Sequence, residues 1–220
     1  DRRQIEALTT PVRIVPSTLV PGADATGSPE SVMMGSIAMA ILMYMGIVMY
    51  GTGTMGSVLE DKTSRVVELL VSTARPTDLM LGKIIGLGSV GLTQMGIWLA
   101  VGLAVGVWAP GSSVGVFIAT MPVRALVFFL VFFVAGFLLF ASLYVGVGAV
   151  SPSAEDGRQL QWPITVLLII PMLLIGPGAT SPESGLIVVM SYVPFFAPVM
   201  MMLRITAGVV GWVEGMAAVV

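Results

Sequence analysis

The residues of this chain best suited to recognising another molecule lie between Glu60 and Leu70, in the stretch EDKTSRVVELL. Five charged side chains fall within nine residues there, in a chain in which only 10% of residues are charged. Asp61 precedes Arg65 by four positions, the favourable order for an ion pair on a helix. Such exposed pairs contribute only about 0.3–0.5 kcal/mol, so local stability does not explain the cluster. The pattern fits an amphipathic helix at a membrane interface and a short helix that docks a soluble partner equally well.

Several kinds of chemistry are excluded by the residue types that are missing. The 220 residues contain no histidine and no cysteine, which removes thiolate nucleophiles, histidine-based triads and zinc sites. No G-x-x-x-x-G-K-[ST] motif occurs, so the chain carries no P-loop. The sixteen methionines, without such partners, favour flexible apolar packing over a soft-metal site. We therefore expect no metal and no cofactor in this chain.

Two stretches match G-x-G-x-x-G, namely GTGTMG at 51–56 and GLGSVG at 86–91. A dinucleotide-binding site needs a strand before this motif and an acidic residue after it. Both stretches lie within or beside apolar runs, so we predict that these glycines allow helices to pack closely. The pairs Gly82/Gly86 and Gly102/Gly106 have the small-xxx-small spacing, which also allows helices to pack closely.

The composition is typical of an integral membrane protein, with 56% hydrophobic and 10% charged residues. Because isolated strands leave backbone groups unsatisfied in lipid, the spans should be helices. We predict an all-α, polytopic transmembrane helix bundle. Four uncharged runs are long enough, or nearly long enough, to cross the bilayer. They are Val32–Leu59, Ile84–Trp108, Ala125–Val150 and Trp162–Gly176.

The remaining segments are less regular. Residues 1–31 are polar and proline-rich, as expected for the end of an extracytoplasmic domain and a linker. Segment 185–203 is apolar but contains Pro194 and Pro198, so it could span the membrane or re-enter it. An apolar run from Trp212 is cut short at the end of the sequence, and we expect the chain to be a fragment of a longer protein.

Lysine and arginine in short loops predict the orientation of the bundle. The segments that contain residues 60–83 and 151–161 should lie on one side, and they carry five such residues. The opposite side carries Arg124 and Arg204. The excess places the charged stretch in the cytoplasm, with Lys83 placed to snorkel towards lipid headgroups.

The first three predicted spans contain no charged residue, so a buried carboxylate is not expected to grip a substrate there. Their polar side chains are better explained by hydrogen bonds between helices than by substrate contact. The residues retained as a candidate substrate path are Thr52, Thr54, Gln94 and Tyr144.

The run EDKTSRVVELLVSTARPTDLMLGK, from Glu60 to Lys83, resembles the signature of ABC-2 type transporter permeases. It is especially similar to the branch of sodium-efflux or multidrug ABC export permeases. The stretches SAEDGRQLQWP and PFFAPVMMMLRI, at 153–163 and 194–205, resemble the same branch, and the resemblance covers residues 32–220. The residues that match the signature in order are Glu60, Lys62, Arg65, Glu68, Leu70, Pro76, Gly82 and Lys83.

This resemblance implies a six-span permease subunit in the plasma or inner membrane, with its first span and most of an extracytoplasmic domain missing here. It also implies partnership with a second permease subunit and a cytoplasmic ABC ATPase, on which ATP and Mg²⁺ would bind. Segment 185–203 would be an extracytoplasmic re-entrant element. A short cytoplasmic coupling helix would contact the ATPase through Glu60, Asp61, Lys62, Arg65, Glu68 and Leu70. A secondary contact on the same side is predicted at Glu155, Asp156 and Arg158.

Two other classes of function compete with this interpretation. A membrane scaffold or sensor could use the same charged loop to dock a cytoplasmic signalling protein. An intramembrane protease is disfavoured because the complete spans lack histidine and an acidic pair. No feature of the sequence indicates binding to nucleic acid, and we expect a transport subunit rather than an enzyme.

Overall fold

The computed structural model describes residues 29–63 and 75–219. These residues form nine helices and no strand, which confirms the predicted all-α fold. Residues 1–28 of the predicted extracytoplasmic segment lie outside the described part. The helices are α1 Pro29–Thr63, α2 Pro76–Trp108, α3 Ser113–Thr120, α4 Val123–Val150, α5 Ala154–Leu160, α6 Trp162–Thr180, α7 Gly185–Met190, α8 Ala197–Thr206 and α9 Trp212–Ala217.

Four of the described helices, α1, α2, α4 and α6, are long and apolar enough to cross a membrane. Each contains one of the uncharged runs seen in the sequence. Proline within the first positions of α2 and α6 suits a helix start, because the missing N–H would have no partner there. Pro171 and Pro177 lie inside α6, where neighbouring helices make proline tolerable in a membrane.

The core forms where α1, α4 and the short helix α8 meet. Gly136 of α4 makes this contact close, since a Cβ there would lie 2.7 Å from Pro198 Cγ and 2.8 Å from Ile47 Cδ1. Methionines and Ile47 of α1 are buried on the facing side. The large buried aromatic side chains of α4 are Phe128, Phe129, Phe132, Phe133, Phe137, Phe140 and Tyr144.

The glycines of the two G-x-G-x-x-G stretches pack between helices at four of six positions. Gly51 faces the Tyr144 ring and Gly91 faces the Tyr50 ring. Gly53 and Gly88 contact Leu87 and Phe137, respectively. The other two glycines of these stretches, Gly56 and Gly86, meet open space within the described part of the chain, as Gly82 does.

Residues 185–206 form two short helices rather than one span. The helix α8 has ten residues and is about 15 Å long, half of what a bilayer crossing needs. Every residue of α8 is buried, and Pro198 near its start lies against the middle of α4. At the other end of α8, Arg204 Nε donates to the Pro182 carbonyl at 3.0 Å. The segment therefore enters the bundle and returns to the same end.

Arg204 is the main polar anchor of this hairpin, and it lies in the last turn of α8 rather than in a loop. Its side chain is 5% exposed and forms an ion pair with Glu214 at 2.7 Å. It also donates to Ser191 Oγ at 2.9 Å, in addition to the Pro182 carbonyl. A buried guanidinium needs such partners, because an unpaired charge in this setting costs several kcal/mol. Arg204 thereby ties α8 to the segments on either side of it.

We predict that Arg204→Met destabilises the fold by about 3 kcal/mol, because it leaves Glu214 and two hydrogen-bonding groups without their partner. Thermal unfolding in detergent measures the loss as a lower melting temperature. Arg158→Met is the matched control, since Arg158 and its partner Glu155 are 67% and 68% exposed and such pairs contribute about 0–1 kcal/mol. Equal melting temperatures for the two variants would contradict the anchoring role.

Candidate functional site at the charged end of the bundle

The predicted contact residues that the structure describes gather at one end of the bundle, which we call the charged end. It consists of the last two turns of α1, the first two turns of α2, the last turn of α4 and the whole of α5. Ion pairs and hydrogen bonds from two lysines join α1, α2 and α4 there. The segment 64–74, which connects α1 to α2, lies outside the described residues.

Lys62 joins the end of α1 to the end of α4. Its ammonium donates to the carbonyl of Ala149 and to that of Ser151, the latter at 3.0 Å. Carbonyls in the last turn of a helix have no intrahelical partner and carry the negative end of the helix dipole, so a cation is favourable there. Lys62, predicted to face a partner protein, thus also has a structural role.

Lys83 joins the beginning of α2 to the end of α1. Its ammonium lies 2.8 Å from an Asp61 carboxylate oxygen, and the two side chains are 21% and 29% exposed. The same ammonium donates to the Ser57 carbonyl at 2.8 Å and to the Ser57 hydroxyl at 2.5 Å. The structure places the Lys83 ammonium against three oxygens of α1, and its extension to lipid headgroups stays a prediction.

The helix α5 brings the secondary contact set next to the primary one. Ser153 caps α5 by accepting from the Asp156 N–H at 3.1 Å, as expected for a serine before an acidic turn. Gly157 allows α5 to approach α1, since a Cβ there would lie 2.7 Å from Leu59 Cδ1.

A groove of about 310 Å³ runs between α1 and α5 at the charged end. Glu60 and Arg158 both line it, so the structure brings together one member of each predicted contact set. Arg158 also pairs with Glu155 at 2.8 Å on the exposed surface. The other lining residues are Met55, Gly56, Leu59 and Ala154. An apolar floor with charged sides of both signs can accept an amphipathic segment of another protein.

Half of the predicted coupling set can be placed. Glu60 and Asp61 lie in α1 at the charged end together with Lys62. The remaining three, Arg65, Glu68 and Leu70, lie outside the described residues, so their role stays a prediction. Among the described residues, no group of three or more acidic, histidine or cysteine side chains could hold a metal ion.

The candidate substrate-path residues do not converge on one cavity. Thr52 and Thr54 donate to carbonyls of their own helix, Val48 at 2.7 Å and Gly51 at 2.5 Å. Tyr144 is buried against Gly51. Such local satisfaction is the ordinary behaviour of hydroxyl groups in a membrane helix.

Gln94 differs from the other three residues of this set. Its side-chain carbonyl accepts a hydrogen bond from the Tyr50 hydroxyl at 2.5 Å, which links α2 to α1. It also lines a groove of about 760 Å³ on the outer face of α2, with Thr93 and Trp98. Sequence reasoning did not find Tyr50, because a tyrosine in an apolar run gives no sign of a partner 44 residues away.

The fold and the charged end together define a multi-pass helical membrane protein. The chain belongs to the ABC-2 transporter family, since the model of the ABC-2 family transporter protein matches residues 3–219. This confirms the resemblance at the level of the family and indicates a membrane transport protein. The sodium-efflux or multidrug branch stays a prediction.

Two curated relatives are similar over most of the chain. The uncharacterized protein YhaP of Bacillus subtilis is 31% identical over 207 residues, 91% of this chain and 49% of the relative. The uncharacterized protein MJ1024 of Methanocaldococcus jannaschii is 33% identical over 168 residues, 76% of this chain and 40% of the relative. The chain thus spans half or less of the length of these relatives. No solved structure matches it significantly.

We predict that Lys62→Met loosens the end of α4. The last carbonyls lose their interaction with a cation, which stabilises a helix end by about 0.5–1 kcal/mol. Hydrogen exchange of the amides at 149–151 should then become about two- to fivefold faster, since that exchange reports local opening. Lys62→Arg retains the charge and should restore most of the protection. Unchanged exchange at 149–151 in Lys62→Met would contradict the capping role.

Proposed function

We propose that this chain is part of the permease of an ATP-binding-cassette exporter and that its charged end docks a cytoplasmic ATPase subunit. ATP and Mg²⁺ would bind on that partner, consistent with the lack of a P-loop in these 220 residues. The family assignment supports a transport role. Export driven by a separate ATPase is our inference from the charged end.

One observation carries the proposal, namely that three long helices are tied together where the charged stretch begins. Lys62 connects α1 to α4, and Lys83 connects α1 to α2. A partner that moves the segment between α1 and α2 therefore acts on three spans at once. For ATP to drive such a change, the ATPase must contact this end differently in its nucleotide states.

The groove between α1 and α5 offers the partner a second point of contact. Glu60 lies where α1 leads into the stretch that contains Arg65 and Glu68. Glu155 and Arg158 face solvent on α5, beside the same groove. Charged groups around an apolar floor favour specificity and fast association over raw affinity.

The proposed cargo is an amphiphilic, drug-like or lipid-like molecule rather than an ion. The apolar runs of the first three spans carry no charged side chain that could replace the hydration of a cation. Gln94, with a groove of mixed polar and apolar residues beside it, offers a hydrogen-bonding group next to apolar surface. Sodium, the cargo suggested by the resemblance, remains the competing candidate.

We also propose a second permease subunit and a location in the plasma or inner membrane. Only 11% of the apolar stretch of α2 is buried in the described bundle, against 44% for α4. The outer face of α2 is therefore available to lipid or to another subunit. A scaffold that docks a signalling protein stays the alternative, and no observation favours it.

We predict that Glu68→Lys lowers recovery of the ATPase about tenfold or more, because reversing a charge in a docking surface commonly costs over 2 kcal/mol. The measurement is co-purification of the full-length protein, in detergent, with the ABC ATPase from the same genome. Substrate transport should fall in parallel.

The matched control is Glu183→Lys, the same charge reversal at an exposed position near the opposite end of the bundle. It should bind the ATPase as the unaltered protein does. ATPase recovery with Glu68→Lys equal to that with Glu183→Lys would contradict the docking role.

A further inference from the structure

The contact between α1 and α2 is a narrow seam with a polar bridge near each end. Lys83 bridges to Asp61 at 2.8 Å, and Tyr50 bridges to Gln94 at 2.5 Å. Asp61 and Tyr50 are eleven residues apart on α1, and Lys83 and Gln94 are eleven residues apart on α2. Eleven residues are about three turns, so both bridges fit a single antiparallel register.

The apolar packing between α1 and α2 is close. Between the bridges the seam contains small residues, with Gly53 near Leu87 and Gly91 against Tyr50. Glycines let helices approach closely, and Met95 of α2 also packs against Gly46 of α1. Two other helices also pack against α2. Phe137 of α4 contacts Gly88, and Ile118 of α3 contacts Gly106.

Lys83 is suited to fix the register at the charged end. Its ammonium contacts three oxygens of α1, from Ser57 and Asp61, which lie one turn apart on that helix. A slip of either helix by one turn, about 5.4 Å, would break these contacts together. Hydrogen bonds with a charged partner are roughly twice as strong as neutral ones.

We propose that Lys83 is a positioning residue for energy coupling, and that with Asp61 and Ser57 it forms a clamp that makes α1 and α2 move as one body. This inference rests on the proposed function, in which an ATPase acts on the segment between these helices. Without the clamp, the same push would slide one helix along the other and would not reach the far end of the bundle.

The first experiment tests the clamp without any ATPase. Spin labels at Gly56→Cys and Gly96→Cys report the distance between α1 and α2, and both glycines meet open space among the described residues. The protein with Lys83 unchanged and the Lys83→Arg variant should each give a single distance between the two labels. Lys83→Met should add a population shifted by up to about 5.4 Å, a slip of one turn. A single unshifted distance in Lys83→Met overturns the clamp.

The second experiment tests coupling in the full-length protein with its ATPase in membrane vesicles. The readout is the change that ATP causes in the rate at which Gly111→Cys, at the opposite end, reacts with a maleimide. Lys83→Met should bind the ATPase normally, but the change that ATP causes in the reaction rate should be about tenfold smaller. This corresponds to a loss of about 1.4 kcal/mol in coupling free energy. Lys83→Arg should restore the ATP response. Glu183→Met, which removes an exposed charge near the opposite end of the bundle, is the control that should change nothing.

The outcomes separate the two proposals. A full ATP response in Lys83→Met, or no rescue by Lys83→Arg, overturns the positioning role. ATPase binding that falls in Lys83→Met as in Glu68→Lys also overturns it, because Lys83 would then belong to the docking surface. If the unaltered protein binds no ATPase, the proposed function fails and the coupling role fails with it, while the spin-label distances still decide whether the clamp exists.

Discussion

Charged side chains at the helix ends decide how this bundle is joined, because the apolar spans between them can pack in many ways. At the charged end, two lysines supply polar contacts between helix ends. Lys62 meets the last carbonyls of α4, and Lys83 meets Asp61 and Ser57 of α1. These contacts join the ends of three helices in one arrangement.

The same constraint shapes the opposite end of the bundle. The short helix α8 lies entirely inside the protein, where its free backbone ends and Arg204 would be costly without partners. Arg204 satisfies this need by bonding to Ser191 and pairing with Glu214. One end is thus closed around a buried cation, and the other presents Glu60 and α5 to a groove. This asymmetry agrees with the proposed docking of an ATPase at the charged end.

The long helices could be predicted because their signal is local, an uncharged run of sufficient length. The hairpin at 185–206 could not be distinguished from a span, since its apolar composition suits both. The close approach of Pro198 to Gly136 joins residues 62 positions apart, so no local pattern in the sequence indicates it.

The candidate site was predictable as a stretch of chain but not as an arrangement. The sequence located Glu60 and Arg158 in separate segments, and only the fold shows that they line one groove. It did not reveal the partners of Lys83, because a lysine near a membrane surface can extend to headgroups or pair within the protein. The choice depended on Asp61 and Ser57, which lie on another helix.

The most direct test of this account is the sidedness of the charged end. With any cysteines elsewhere in the full-length protein replaced, Arg75→Cys and Gly111→Cys place single thiols at opposite ends of the bundle. A membrane-impermeant maleimide applied to intact cells should label Gly111→Cys and should label Arg75→Cys only after permeabilisation. Labelling of Arg75→Cys in intact cells, with Gly111→Cys protected, would contradict the proposal that the charged end meets a cytoplasmic ATPase.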